Sequence, residues 1–278
     1  MLNYVQIGPP NGIPFVLNTA SQQAQGLVAW WPFLASRHSP RLFDLSGREF
    51  HGTLTNGPTW GVDPTMGAAL SFDGSNDYVD CGAVSNLGLT GDCAFTFSVW
   101  VNPSALTNDG AWLSYGNGPN DKVIALATNG TVFRVIHFAN DHNFATAVTL
   151  NVWQLVTLTY DPLTSTETLY VQRPGGMITE TWTPTNLNMV AGDVLTIGKA
   201  SWAGVVAQAC KLGEARIYNR PLTPGEVWRM YAPGTRWELY QPVVDMFPPS
   251  IPFATLGQPT ALRQSQMLTG VRRWGRGF

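Results

Sequence analysis

One segment of the chain limits the fold more than any other. Phe95-Thr-Phe-Ser-Val-Trp-Val101 alternates large apolar side chains with others at a period of two over its first five residues. In an extended strand this period places Phe95, Phe97, Val99 and Val101 on one face, whereas a helix would scatter them. The segment therefore predicts a strand that lines an apolar core.

Similar short runs recur along the chain and are separated by Asp, Asn, Gly and Pro. Asn129-Gly130 joins two of them, and this dipeptide between such runs is a strong hairpin signal. No long stretch shows a helical period, so we expect an all-β sandwich of two sheets. The other runs that predict strands are 27–31, 123–127, 131–138, 153–160, 168–172, 194–198 and 214–218.

One short helix is expected near the end of this pattern. Thr223-Pro-Gly-Glu226 has the form of a capping box, with Thr223 as N-cap, Pro224 at the first helical position and Glu226 at the third. Apolar residues follow, and Pro233-Gly234 stops the helix after about two turns. We expect it to pack on the edge of the sandwich.

The order of aromatic strands and Asp/Ser/Gly turns resembles the laminin-G-like, concanavalin A-like jelly-roll family. The resemblance rests on residues 26–33, 44–53, 71–79, 95–101 and 212–226. It implies a jelly-roll sandwich over residues 26–232. Because such domains are mostly binding or scaffolding modules, it also implies a role that is not enzymatic.

Two extended arms flank this domain. The N-terminal arm, residues 1–25, is rich in Pro and Gly but also apolar, and the C-terminal arm covers residues 233–278. Residues 242–278 carry four Arg and one Asp, which gives 4 − 1 = +3. Apolar segments without a helical or strand period need a surface to cover them, so we expect both arms to lie against the domain or a neighbour.

The helix, then Trp237-Glu-Leu-Tyr-Gln-Pro242, then a Pro/Arg-containing end resembles laminin-G-like proteins of tailed bacteriophages. This resemblance implies a virion structural protein, a capsid decoration or head-associated protein that its arms anchor to neighbouring virion proteins. A homo-oligomer is expected. The alternative is a lectin-like module that binds carbohydrate or a cell surface.

Composition fits a protein with covered surfaces. Only 12% of the residues are charged, against about 25% in ordinary globular chains. The net charge of −2 gives no reason to expect nucleic acid as the partner. No apolar run approaches the roughly 18 residues of a membrane span. The first ten residues lack the pattern of a secretion signal, so we expect a virion protein made in the host cytoplasm.

Catalytic carboxylates are not expected. Hydrolases that share the resembled fold carry two Glu and an Asp at alternate positions of one strand, and a retaining mechanism needs two carboxyls about 5–5.5 Å apart. This chain has no such run, and its acidic strand residues are isolated from one another. The Glu residues are Glu49, Glu167, Glu180, Glu214, Glu226 and Glu238.

A calcium site is the one cofactor hypothesis. The segment Asp44-Leu-Ser-Gly-Arg-Glu-Phe-His-Gly52 matches a loop that often holds calcium in the resembled family. The partner would be Glu214 on the closing strand, where many relatives have two acids and this chain has one. Calcium takes 6–8 oxygen ligands, so backbone oxygens would have to contribute. The alternative is an Asx turn at Asp44, with Glu214 solvated or paired with an arginine.

Some aromatic residues are candidates for sugar binding, because sugar sites stack a ring on an exposed aromatic. The candidates near predicted loops are Trp112, Tyr115, Trp182 and Trp202. The tryptophans in strand runs are expected in the core, and they are Trp30, Trp100 and Trp153.

The segment 73–77 predicts a hairpin turn, with calcium binding as the minor alternative. The three cysteines are expected as free thiols, with a Cys81–Cys93 bridge as the alternative, and they are Cys81, Cys93 and Cys210.

Overall fold

The computed structural model describes residues 15–34, 39–118, 122–185, 187–202 and 207–243. Two antiparallel sheets contain nearly all of the strands in these residues. Sheet I has the order β12 (His142–Ala147), β11 (Val132–Ile136), β10 (Ile124–Asn129), β9 (Ala111–Tyr115), β16 (Val194–Ile197), β7 (Tyr78–Ala83), β4 (Gly52–Thr55), β3 (Arg41–Leu42). Sheet II has the order β15 (Gly176–Trp182), β14 (Thr166–Arg173), β13 (Gln154–Asp161), β8 (Phe95–Pro103), β17 (Ala209–Tyr218), β6 (Gly67–Asp73), β5 (Thr59–Asp63), and β2 (Leu27–Trp31) pairs with β17.

The main core lies between the two sheets. Phe95, Phe97, Val99 and Val101 of β8 are fully buried in it, which confirms the face that their alternation predicts. Strands of both sheets supply the rest of the cluster, including Trp112 and Leu126 from sheet I. The all-β jelly-roll sandwich is therefore confirmed.

The outer face of sheet II is also covered. The helix α1 (Pro224–Tyr231) begins with the predicted capping box. Its Val227 and Met230 pack with Trp100 and Tyr218 in a second apolar cluster. Within the described residues no helix is long or apolar enough to cross a membrane.

Two turn predictions have different outcomes. The hairpin at Asn129-Gly130 forms between β10 and β11, with Asn129 opposite Val132, so the loop residues are Gly130 and Thr131. The predicted hairpin at residues 73–77 is wrong, because β6 lies in sheet II and β7 lies in sheet I. Side-chain turns at Asp73 and Asp77 bend the chain here, and the connection passes from one sheet to the other.

The described parts of the two predicted arms pair with each other. β1 (Phe15–Leu17) and β18 (Tyr240–Pro242) form a two-stranded antiparallel ribbon. The ring centroid of Phe15 lies 4.6 Å from that of Tyr240 and 6.1 Å from that of Trp30 in β2. These parts of the arms therefore pack against their own domain. Residues 1–14 and 244–278 lie outside the described residues, and the boundaries at 25 and 233 stay a prediction.

The three cysteines are free thiols, which confirms the expectation from the sequence and excludes the alternative of a Cys81–Cys93 bridge in this structure. Cys210 is buried in the main core, and its burial raises the pKa of the thiol. Such a thiol is a packing group rather than a nucleophile.

Candidate functional site

Asp44 is the centre of a closed turn. Its Oδ1 accepts hydrogen bonds from the backbone N–H of Trp30 and of Ser46, both at 2.9 Å. Its Oδ2 accepts from the Ser46 hydroxyl at 2.8 Å and from the Phe50 backbone N–H at 3.0 Å. Asp44 is 3% exposed, so four hydrogen-bond donors of the chain take the place of water around its carboxylate.

Glu214 lies in a different buried cluster on the outer face of β17. Its Oε1 accepts from the Trp30 indole N–H at 2.6 Å and from Arg216 Nη2 at 2.7 Å and Nε at 3.0 Å. Arg216 is two residues further along the same strand, so both side chains lie on the same face. Burial alone would lower the pKa of Arg216, but the adjacent Glu214 carboxylate outweighs it and raises the pKa.

Arg216 also joins the N-terminal segment to the segment after the helix. Its Nη1 donates to Gln23 Oε1 at 2.5 Å, and its Nη2 donates to the Arg236 carbonyl at 3.1 Å. The Arg236 guanidinium lies between the rings of Trp100 and Trp237, 4.5 and 4.3 Å from their centroids. The cluster thus fastens residues 23 and 236–237 onto β8 and β17.

The two residues of the calcium hypothesis share one neighbour. Trp30 donates its backbone N–H to Asp44 and its indole N–H to Glu214. In the described part of the chain, no group of three or more His, Cys, Asp or Glu side chains is placed to hold a metal ion. The geometry is that of the alternative, an Asx turn at Asp44 and a Glu214–Arg216 pair, and calcium stays a prediction.

Glu167 is engaged inside the sandwich. It is fully buried, and its Oε1 lies 2.9 Å from His137 Nε2. Its Oε2 accepts the indole N–H of Trp182 at 2.6 Å. The Trp182 ring stacks on His142 at a centroid distance of 4.7 Å. These contacts close one side of the sandwich, because β14 and β15 belong to sheet II whereas β12 belongs to sheet I.

Glu180 holds the same side together. Its carboxylate accepts the backbone N–H groups of Ala145 and Thr146 in β12, both at 2.7 Å. Burial alone would raise the pKa of Glu180, but these donors and the Thr146 hydroxyl outweigh it and lower the pKa. Glu180 thus satisfies the free edge of β12 and is engaged as a structural acceptor.

The aromatic candidates separate into core and surface residues. Trp112 and Tyr115 are 0% exposed and belong to the main core, so they are wrong as sugar candidates. The expected burial of Trp30, Trp100 and Trp153 is confirmed. Trp182 is partly buried, and its indole N–H is used by Glu167. Trp202 is the remaining candidate, and it is partly buried beside Phe138.

Phe138 and Trp202 form an aromatic surface on the outer side of sheet I. Their ring centroids are 4.8 Å apart at an interplanar angle of 67°, and Phe138 is 40% exposed. Trp202 packs on a cluster of small side chains, including Ala125 and Ala200. A partly exposed aromatic ring of this kind is a group on whose face a sugar ring can stack.

The backbone of Phe138 is held in a costly conformation. Its φ of 71° lies in the left-handed region, which a bulky residue adopts at a cost of about 1–3 kcal/mol. Asp141 Oδ1 accepts the backbone N–H groups of His137 and Phe138, and Asp141 Oδ2 accepts Arg134 Nη2 at 2.7 Å. The five residues 137–141 between β11 and β12 therefore hold an aromatic ring at the surface.

Sequence reasoning missed Phe138 because it placed the residue at the end of a strand over 131–138. The strand ends at Ile136 instead. A usable signal was present in Ala-Asn-Asp after Phe138, since Asn and Asp favour turns through hydrogen bonds to nearby backbone.

A polar cleft of about 680 Å³ lies near this turn. The Asn140 side chain connects the turn to the cleft, because its Oδ1 accepts from both the backbone N–H and the hydroxyl of Thr185. In the cleft, Tyr160 donates its hydroxyl to Asp92 Oδ1 at 2.7 Å. The cleft is lined by Asp92, Tyr160, Ser165, Thr183, Pro184, Thr185, Leu187 and Asn188.

Comparison with known proteins gives a family and a set of folds. The family model described as the concanavalin A-like lectin/glucanases superfamily matches residues 73–228. No curated protein matches the chain by sequence.

Solved structures with the same fold include domain 4 of AbnA, a GH43 extracellular arabinanase from Geobacillus stearothermophilus, in complex with arabinotriose. It is 18% identical over 72% of this chain and 96% of that chain, with a TM-score of 0.56. The binding domain of Paraclostridial Mosquitocidal Protein 1 is 18% identical over 76% of this chain and 52% of that one, with a TM-score of 0.55.

Trypanosoma rangeli sialidase in complex with sialic acid is also similar. It is 18% identical over 74% of this chain, with a TM-score of 0.52. The chain spans a third of the sialidase, 33% of its length, and about half of the mosquitocidal domain. At these identities the likeness concerns the fold.

Proposed function

The chain belongs to the concanavalin A-like lectin/glucanase superfamily, and from this premise we propose that it is a carbohydrate-binding module without catalytic activity. The single observation that carries the proposal is the aromatic surface of Phe138 and Trp202. Phe138 is 40% exposed, so burial of the ring does not fully offset the cost of its backbone conformation. Such strain persists where the surrounding structure holds it, and it is frequent at binding sites.

The surroundings of this surface suit a neutral polyhydroxylated ligand. The nearby cleft offers hydroxyls from Tyr160 and Thr183, an amide from Asn188 and the carboxylate of Asp92, and its described lining contains no Lys or Arg. Sugar hydroxyls both donate and accept hydrogen bonds, which this mixture of groups satisfies. A carboxylated sugar would be repelled by Asp92. The arabinanase domain that shares the fold is in complex with arabinotriose, a neutral oligosaccharide.

The absence of catalysis is proposed from the contacts of the carboxylates. Glu167 and Glu180 are engaged through both carboxylate oxygens, whereas Glu214 is engaged through Oε1 and is 3–4% exposed beside Arg216. A general acid needs a proton within reach of the substrate, and a nucleophile needs a free oxygen. Fully buried Glu167 meets neither condition.

A glycan array tests the proposal, followed by calorimetry on any glycan that binds. Phe138→Ala and Trp202→Ala should each weaken binding by about 1 kcal/mol, which is roughly fivefold in Kd. Trp228→Ala is the matched control, because Trp228 is 47% exposed on α1, a different element. Binding that is insensitive to Phe138 and Trp202, or an array without binders, would contradict the proposal.

A second function, a virion structural protein of a tailed phage with its arms on neighbouring subunits, is supported by one feature of the fold. Phe15 pairs with Pro242, so the first and the last described strands of the chain form one ribbon. Val16 in this ribbon is 53% exposed. Cross-linking within assembled particles tests this role, and contacts of both terminal segments with other subunits are its expected result.

A further inference from the structure

His137 begins the turn that presents Phe138, and its side chain is buried completely. Nδ1 lies 2.5 Å from the carbonyl oxygen of Val123, just before β10 of sheet I. Nε2 lies 2.9 Å from Glu167 Oε1 in β14 of sheet II. One imidazole therefore connects the turn to both sheets.

Both ring nitrogens face acceptors. A carbonyl oxygen cannot donate, so Nδ1 carries a proton. Glu167 accepts the Trp182 indole N–H through its other oxygen. Where Glu167 accepts at Oε1 as well, Nε2 carries a proton and the ring is an imidazolium.

The charges around the ring support this assignment. Burial alone would lower the pKa of His137, but the Glu167 carboxylate, the hydrogen bonds to Glu167 and Val123, and the charge of Asp141 outweigh it and raise the pKa. The other histidine of this hairpin is His142, which begins β12 and stacks on Trp182. Its pKa is lowered, mainly by burial, against the opposing charges of Glu167 and Glu180.

The turn depends on His137 through the backbone as well. Asp141 Oδ1 accepts the N–H of His137 at 2.8 Å and the N–H of Phe138 at 2.7 Å. The backbone of Phe138 and the backbone of His137, whose ring is tied to both sheets, therefore share one acceptor.

We propose that protonated His137 is a pH-sensitive clamp on the aromatic surface: the imidazolium ties the Phe138 turn to Val123 and Glu167, and loss of its proton releases one tie and displaces Phe138. The effect on ligand binding rests on the carbohydrate-binding function proposed above. The clamp itself does not.

The sign of the pH dependence follows from the raised pKa. A histidine whose folded-state pKa lies above its unfolded value of about 6.5 contributes stability that is fully present below that value. The contribution is lost as the pH rises through the folded-state pKa. The Phe138 turn is therefore fixed below the folded-state pKa of His137 and is released above it.

Glu167→Gln separates the charge from the hydrogen bonds. The amide oxygen of Gln can accept the Trp182 indole N–H, and its amide N–H can donate to Nε2 of a neutral His137, while Nδ1–H still donates to Val123. The variant keeps three hydrogen bonds without a charge on the ring. Its His137 should bind a proton at least tenfold more weakly, a pKa at least one unit lower.

The test is NMR on the full chain, with ¹⁵N-labelled histidine and a ring reporter at Phe138. In the wild type, both ring nitrogens of His137 should be protonated below its titration midpoint, and the Phe138 signal should change with the same midpoint as His137. In Glu167→Gln the ring should be neutral at the wild-type midpoint, and the Phe138 signal should no longer change there. His142→Gln is the control and should leave both signals unchanged.

A His137 midpoint below the unfolded value of about 6.5 in the wild type would overturn the proposal, as would a Phe138 signal that does not change at the His137 midpoint. The wild-type titration decides the question even where Glu167→Gln fails to fold. If a glycan binds, its Kd should increase above the midpoint in the wild type and stay constant in Glu167→Gln. If no glycan binds, the carbohydrate proposal fails, whereas the NMR result still decides the clamp.

Discussion

Replacement of Glu214 by alanine tests whether a buried ion pair holds the terminal segments to the sandwich. The change removes the acceptor of the Trp30 indole N–H and of two donors of Arg216. Arg216 is 2% exposed and would keep the hydrogen bonds to the Gln23 side chain and the Arg236 carbonyl, but no carboxylate partner among the described residues. Removal of one partner from a buried pair costs about 3–5 kcal/mol, because the other charge stays buried without compensation.

Thermal and urea unfolding measure this loss. For a domain of 150–250 residues, about 1 kcal/mol corresponds to a Tm change of about 2–4 °C, so Glu214→Ala should lower the Tm by roughly 6–20 °C. The control is Glu238→Gln, which breaks a more exposed ion pair. In that pair the Glu238 side chain is 24% exposed and the Arg229 side chain is 39% exposed. That change should cost about 1 kcal/mol or less.

A second variant separates the lost pair from the buried charge. Glu214→Leu combined with Arg216→Met removes both charges, and it should cost clearly less than the sum of the two single changes. If Glu214→Ala is as mild as Glu238→Gln, the ion pair does not hold this face and the reasoning is refuted. A loss seen only with calcium present would instead support the metal hypothesis.

Three further outcomes are expected. Asp44→Ala removes four hydrogen bonds and should cost about 2–4 kcal/mol, with no effect of a chelator on the Tm of the wild type; a chelator-induced decrease that Asp44→Ala abolishes would establish calcium. Purified protein should release no sugar from polysaccharides, and turnover that Glu180→Gln removes would contradict the non-catalytic proposal. Deletion of residues 244–278 should leave the Tm within about 2 °C of the wild type, since β18 precedes the cut; a larger decrease by calorimetry would show that this segment stabilises the domain.

Local features of the chain were predictable because their causes are local. The alternation of Phe95, Phe97, Val99 and Val101 requires one buried face of a strand, and the structure buries that face. The Thr223–Glu226 capping box requires only four consecutive residues. The spacing of the strand runs predicted a two-sheet sandwich, and the resemblance to the jelly-roll family implied the same arrangement, which the family model supports.

Partners distant in the chain were not predictable. Glu214 could be foreseen as paired with some arginine, but Trp30, its other donor, is 184 positions away. His137 and Glu167 lie 30 positions apart and belong to elements on opposite sides of the core. The pattern of either strand alone does not show which side chain of the other sheet will face it.

The sequence by itself determined several of the strands, where the helix begins and which face of β8 is buried, because a period of two and a capping box depend on neighbouring residues. Only the tertiary structure decided that the segment 73–77 crosses between sheets, that Trp112 is buried, and that Phe138 leaves its strand to meet Trp202 at the surface. The reason is physical: exposure and pairing depend on which elements pack together, and that is settled by contacts between residues far apart in the chain.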